Sequence, residues 1–299
     1  MHPMLNIAVR AARAGGRVLT KYMDRLDSIT ISSKGKNDPV SEVDQLTEAE
    51  IVSVLQRSYP DHQFICEENG IIGNENADFK WYIDPLDGTK NYLHGYPAFC
   101  VSIAVAHKNR MEQAVIYNPV SQELFTASRG AGATLDGKRL RVSKCAGLES
   151  ALLATGFSNN DQNDYEAYKK TLNHFSTNAS SVRRQGSAAL ELAYVAAGRL
   201  DGYWQYNLKS WDVAAGALIV REAGGLVGDT KGEDGWLETG NIVAASPRVF
   251  VRWFEASKHS TSTRSELRIN QLFWSALDSL HDGESRTFLT NCGPPTVIS

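Results

Sequence analysis

Residues 81–92 read W-Y-I-D-P-L-D-G-T-K-N-Y, from Trp81 to Tyr92. Trp81, Tyr82 and Ile83 are apolar and β-prone, so Asp84 is expected at the exit of a strand. Pro85, with a fixed φ and no N–H, is expected to stop that strand and to begin a turn that Asp87 closes. Both carboxylates then converge on one point, and the Leu86 carbonyl between them is a third candidate oxygen. Gly88 tolerates positive φ and close approach of a ligand, and Thr89 adds a hydroxyl. Clustered hard oxygens followed by free N–H groups suit Mg²⁺ and a phosphate. An ordinary Asp-Pro/Asp-Gly turn is the other reading of the same letters.

Working outward from this stretch, the first half reads as two helices followed by many strands. Leu5, Ala8, Ala12, Gly15, Gly16 and Leu19 recur at helical spacing, with Arg10, Arg13 and Arg17 as a solvated face. Residues 32–40 form a polar stretch rich in turn formers and are expected to be a mobile loop. Residues 41–58 return to helical period through Val43, Leu46, Val54 and Leu55. Ser41 and Asp44 fit a capping pair there, although a carboxylate beside that loop is also placed to reach a cation. Residues 63–68 predict a strand ending in Glu67 and Glu68, of which only one can face a given site. Residues 99–107 and 111–117 predict a hairpin, extended into a meander by residues 123–128 and 131–136. The class is α+β.

Residues 151–250 form the second half. A strand (151–157), a helix (165–175) and a basic, flexible run (181–186) lead into a helix over 187–197. After a strand at 202–206, residues 212–223 are apolar nearly all round, which predicts a buried helix. Short strands at 226–228 and 242–245 complete a sheet. The domain expectation is thus an N-terminal half, 1–150, a C-terminal half, 151–250, and a divergent tail, 251–299, poorly ordered toward its end.

Several function classes drop out. A net charge of −3 over 299 residues gives no overall attraction to nucleic acid. Cys66, Cys100, Cys145 and Cys292 form no C-x-x-C pair, which fits reduced thiols. The histidines show no H-x-x-x-H spacing for zinc, and no G-x-x-x-x-G-K-[ST] phosphate loop is present. No apolar run approaches ~20 residues, and the first residues carry arginines rather than a signal core, so a cytoplasmic protein with no membrane span is expected.

A second site signal is Ser210-Trp211-Asp212. An acid before a helix is ordinarily an N-cap, but this helix is expected to be buried, and an enclosed carboxylate needs a partner. If Glu67, Asp84, Asp87 and Asp212 meet, their four negative charges would repel any phosphate. Two Mg²⁺ ions would balance them, polarise a phosphoryl group and acidify water, which are the tasks of phosphomonoester hydrolysis.

Three motifs in order, W-Y-I-D-P-L-D-G-T-K-N-Y, I-C-E-E-N (65–69) and W-D-V-A-A-G-A-L-I-V-R-E-A-G-G (211–225), resemble the Mg²⁺-dependent inositol monophosphatase family. The runs at 1–13, 153–157, 183–199 and 239–244 are similar to its bacterial SuhB branch. The resemblance covers residues 1 to about 249, and implies a layered αβαβα sandwich with the site between its halves. It implies Glu67 as a metal ligand that works with Thr89 to orient water. Asp84 and the Leu86 carbonyl would hold one metal, and Asp84, Asp87 and Asp212 a second. Gly88 and Thr89 would hold phosphate, with Asp87 and Asp212 beside it. Asp44 falls near a weaker third Mg²⁺, Lys36 in an active-site loop and Arg183 at a substrate contact.

The activity implied is hydrolysis of myo-inositol monophosphate and similar polyol phosphates, inhibited by Li⁺, in a homodimer. The SuhB branch also implies a role in transcription antitermination and ribosome biogenesis, with RNA polymerase and Nus factors as partners. Two departures stand out. Lys90 replaces the commoner second threonine and matches relatives that act on 3′-phosphoadenosine nucleotides, a third reading of the substrate. Beyond about residue 251 the sequence does not match the short helical ending of the family.

Overall fold

The computed structural model describes residues 2–26, 31–35, 38–157 and 162–258. The chain divides into one compact unit, Met1–Ala256, and a second, Ser257–Ser299. Every strand among the described residues belongs to the first unit.

Helix α1 (Pro3–Met23) begins with proline in its first turn, and the His2 ring accepts the Met4 N–H. Its small residues permit close packing: a Cβ on Gly15 would stand 2.9 Å from Ile51, and one on Gly16 would stand 2.5 Å from Tyr117. Arg10, Arg13 and Arg17 are exposed, as their spacing predicts. Residues 32–40, expected to be a loop, instead contain an antiparallel pair, β1 (Ile31–Gly35) and β2 (Asp38–Ser41). Gly35, Asp38 and Pro39, read there as turn formers, lie within the two strands. Lys36 lies outside the described residues. Helix α2 (Glu42–Ser58) follows, and Leu46, read as part of its apolar face, is exposed.

Strands β3 (Gln63–Cys66), β4 (Gly70–Gly73) and β5 (Phe79–Asp87) lead to the short helix α3 (Thr89–Leu93). The meander comprises β6 (Cys100–His107), β7 (Arg110–Asn118), β8 (Glu123–Ser128), β9 (Gly132–Leu135) and β10 (Lys138–Arg139). Together they make an eight-stranded sheet ordered β10-β9-β8-β7-β6-β5-β3-β4, in which only β3 and β5 pair in parallel. The second half supplies β11 (Leu152–Thr155), α4 (Gln162–Asn178), β12 (Ser181–Arg183), α5 (Ala188–Ala196) and β13 (Gly202–Gln205). It ends with α6 (Ser210–Glu222), β14 (Leu226–Gly228), α7 (Trp236–Thr239), β15 (Ile242–Ala245) and α8 (Pro247–Lys258). Its five strands are ordered β12-β11-β13-β15-β14. Residue 251, where the sequence changes character, lies inside α8, and Trp253 of that helix is buried.

Strand alternation builds the layers. On β5, Trp81 and Ile83 face α1 and α2 and join Leu19, Ile51 and Leu55 in one core. Burying each such side chain contributes about 1.5–3 kcal/mol. Tyr82 faces the other way, into a second core with α5 and α6, where Ala189, Leu192, Val213 and Ile219 are enclosed. The opposite side of the same helices meets Tyr203 and Ala244 of the smaller sheet. Beyond that sheet, Leu153, Trp204 and Val243 pack against Phe175 of α4 and Phe250 and Trp253 of α8. The result is α1/α2, sheet, α5/α6, sheet, α4/α8: the expected αβαβα sandwich.

Candidate active site

Pro85 does not stop β5. The strand runs on to Asp87, and the ladder with β6 slips: Asp84 stands opposite Ser102 and Asp87 opposite Cys100. Pro85 and Leu86 fill a bulge, one of the few places where a strand accepts a residue without an N–H. Ser102 and Cys100 alternate onto one face, so the bulge also brings Asp84 and Asp87 onto one face. That is the face of α5 and α6. The Asp84 carboxylate accepts the Leu86 N–H at 3.0 Å. Gly88, at φ 100°, then turns the chain into α3; a Cβ there would lie 2.9 Å from the Ala98 carbonyl.

Four elements supply the acids. Glu67 is not in a strand but opens the turn between β3 and β4, its N–H held by the Ile83 carbonyl at 3.2 Å. Asp84 is 2% exposed, and its carboxyl touches Glu67 on one side and Asp212 on the other. Asp212 is the third residue of α6 rather than its N-cap; its carboxylate accepts the Lys209 N–H at 2.8 Å, the acid half of a capping box. Asp87 accepts from the Ser187 hydroxyl and the Ala189 N–H, both at 2.7 Å, so it is tied to the start of α5. The Thr89 hydroxyl lies 3.1 Å from both the Asp44 carboxylate and the Leu86 carbonyl. Asp44 is buried in the first turn of α2.

The acids disturb one another. Burial pushes the Asp84 carboxyl well above the carboxylate range, and the charges of Glu67, Asp87 and Asp212 push the same way. Asp212 is pushed up to about 7, first by burial and then by Asp87. Burial raises Asp87 as well, against the opposing bonds from Ser187 and the α5 N–H groups. Cys100 lies 3.8 Å from Asp87; burial and that charge hold its thiol protonated, so it is no nucleophile.

This is a donor set of hard oxygens that repel one another, which is the chemistry of a Mg²⁺ site rather than of a soft metal. Among the described residues no three His, Cys, Asp or Glu side chains are gathered closely enough to enclose a metal ion, and the Asp87 carboxylate is turned to the start of α5. Arg183 is exposed on β12, its guanidinium folded back onto Ser181 and the Val182 carbonyl, and makes no contact with these acids.

Three features escaped the sequence reading. Glu48 is buried one turn beyond Asp44, a spacing that placed it on the same helix face. Ser187, at the head of α5, donates its hydroxyl to Asp87. Glu191 is a buried acid on an otherwise apolar helix; one oxygen accepts the Gln185 N–H at 2.9 Å and the other has no hydrogen-bond partner among the described residues.

The model of the inositol monophosphatase family matches residues 1–265. The chain belongs to the inositol monophosphatase family. Its relatives include the "Nus factor SuhB" of Pseudomonas aeruginosa, 51% identical over 255 residues, 84% of this chain and 94% of that protein. The Escherichia coli K12 "Nus factor SuhB" is 49% identical, covering 83% and 93%. Among solved structures, the Bartonella henselae extragenic suppressor protein suhB has a TM-score of 0.83 at 40% identity, covering 85% of this chain and 98% of that one. A Thermotoga maritima IMPase has a TM-score of 0.76 at 31% identity, covering 86% and 99%. The chain therefore has the fold and family of a phosphatase.

Proposed function

We propose that the protein hydrolyses phosphate monoesters of myo-inositol and similar polyols with Mg²⁺. The observation that carries this reading is Asp84, an enclosed acid in contact with Glu67 and Asp212 and on one face with Asp87. Glu67, Asp84, Asp87, Asp212 and the Leu86 carbonyl would hold two Mg²⁺ ions. When bound, these ions neutralise the carboxylates and polarise the phosphoryl group as Lewis acids.

The chain's own groups do the rest. Backbone N–H groups at Gly88 and Thr89 hold the phosphate. The Thr89 hydroxyl donates toward Asp44 or Leu86, which leaves its oxygen free to accept from a water; Glu67 orients that water and takes its proton as the water oxygen bonds to phosphorus, the ester P–O bond breaks, and the departing alkoxide takes a proton from solvent. No side chain needs to attack phosphorus, in keeping with a Cys100 thiol kept neutral.

The test is a panel of inositol 1-phosphate, other polyol phosphates and 3′-phosphoadenosine 5′-phosphate, each with and without Mg²⁺, and Li⁺ as inhibitor. Asp84→Asn is expected to lose most of the rate and the Mg²⁺ response. Full Mg²⁺-dependent turnover in that variant sinks the assignment, and faster turnover of the nucleotide transfers it to the 3′-phosphatase reading that Lys90 suggests.

The names of the relatives favour a second, compatible role in transcription, with RNA polymerase and Nus factors as partners and the cytoplasm as its place. Among the described residues no helix is long and apolar enough to cross a membrane. A pull-down from lysate with antitermination components checks this role, and sedimentation checks the expected homodimer.

A further inference from the structure

Helix α2 presents two acids one turn apart, Asp44 and Glu48, on the face that meets the site. Asp44 reaches Thr89. Glu48, 0% exposed, reaches the turn that carries Glu67: one oxygen accepts the Glu68 N–H at 2.8 Å, and the other accepts the Asn69 N–H at 2.9 Å and the Asn69 amide at 2.7 Å. Burying a carboxylate is costly unless its oxygens are bonded, and these three bonds engage both oxygens of Glu48.

The placement of these bonds is specific. The peptide before Glu67 is fixed by its N–H on the Ile83 carbonyl, which sets φ of Glu67. The peptide after it ends in the Glu68 N–H, held by Glu48, which sets ψ. With both torsions held, the backbone fixes the direction in which the Glu67 Cα–Cβ bond leaves the turn between β3 and β4. Gly70, at φ 69°, reverses the chain immediately afterwards and pairs with Cys66, closing the turn at its far end.

We propose that Glu48 is a positioning residue for Glu67: a buried clamp on the backbone of a metal ligand, which prepares the site to accept Mg²⁺. This rests on the phosphatase reading above. Groups that orient ligands without touching the ion commonly affect affinity or activity by roughly 10–100-fold.

The experiment compares wild type with Glu48→Gln and Glu48→Ala. The glutamine keeps the shape and one acceptor, so it guards against a variant that fails to fold. Three quantities are measured: exchange protection of the Glu68 and Asn69 amides, the Mg²⁺ concentration giving half of the thermal stabilisation by the ion, and that giving half-maximal turnover. The expected result for Glu48→Gln is loss of protection at the one of the two amides that faces the new NH2 group, and a roughly tenfold rise in both Mg²⁺ midpoints, with KM for substrate little changed. Glu48→Ala is expected to show the same pattern, enlarged. A merely structural Glu48 would lower the melting temperature and leave both midpoints in place, which overturns the inference. A wild type that gains neither stability nor turnover from Mg²⁺ overturns the phosphatase reading and this inference together, an outcome distinct from the former.

Discussion

Glu191 gives the structure a pH dependence that can be worked through. Burial, reinforced by the Asp87 charge, pushes its carboxyl from 4.5 to about 8, against the Gln185 N–H bond and the Arg184 charge. The folded state therefore holds a proton that the unfolded chain releases at lower pH. Between about pH 4.5 and 8 the folded state binds more protons, so this group's contribution to stability falls as pH rises, at up to about 1.4 kcal/mol per pH unit. By pH 7 the loss is on the order of 3 kcal/mol, levelling above pH 8 near 5 kcal/mol as an upper bound. Glu191→Gln keeps an acceptor for the Gln185 N–H and has nothing to ionise. In urea titrations with a chelator present, its stability relative to wild type is expected to be near zero at pH 5. That difference should climb by several kcal/mol by pH 8.5 and then flatten. Asp84 and Asp212 titrate in both proteins and cancel to first order. A stability difference that stays level from pH 5 to 9 would refute the reasoning, because it would mean that Glu191 ionises as easily in the fold as in the unfolded chain.

Gly88→Ala should lower stability by roughly 1–3 kcal/mol, because alanine must adopt φ 100° with its Cβ 2.9 Å from the Ala98 carbonyl; thermal melts read the loss, and Mg²⁺-dependent turnover should fall with it. Ser187→Ala removes one bond to Asp87 while the Ala189 N–H remains, so a loss of about 1 kcal/mol is expected in urea titration, with the fold intact. Lys90 is exposed beside Thr89 with no ion pair among the described residues. Lys90→Thr should therefore cut the ratio of kcat/KM for 3′-phosphoadenosine 5′-phosphate over inositol 1-phosphate, and an unchanged ratio removes Lys90 from substrate choice.

The layers were legible because period carries burial: Trp81 and Ile83 against Tyr82 on β5, and the unbroken apolar run of α6, each say which face is covered. The acids were legible as letters but not as partners. Asp212 read as an N-cap because the helix begins two residues earlier than its apolar run, at Ser210. Glu67 read as a strand residue because the turn closed by Cys66 and Gly70 begins one residue sooner than the letters suggest, and Glu48, nineteen positions earlier, takes the next N–H groups. Asp87 read as a free ligand, whereas its bonds come from Ser187 and Ala189, a hundred residues on. Contacts of that range leave no periodic trace in a single sequence. Residues 32–40 misled for a different reason, since Gly, Asn, Asp and Pro mark a tight hairpin as readily as a loop.

The slip in the β5–β6 ladder sets more than the direction of two side chains. In an uninterrupted strand, acids three positions apart lie on opposite sides of the sheet, and every peptide between them is spoken for by a neighbouring strand. One surplus residue cancels both constraints. It restores the parity of Asp84 and Asp87, and it releases the Leu86 peptide, whose N–H goes to Asp84 and whose carbonyl meets Thr89. Removing Leu86 would leave the two acids side by side on a regular strand while withdrawing the oxygen between them. The spacing of D-P-L-D thus acts as a count of main-chain groups left over from the sheet, and a change of length there would be felt more than a change of side chain.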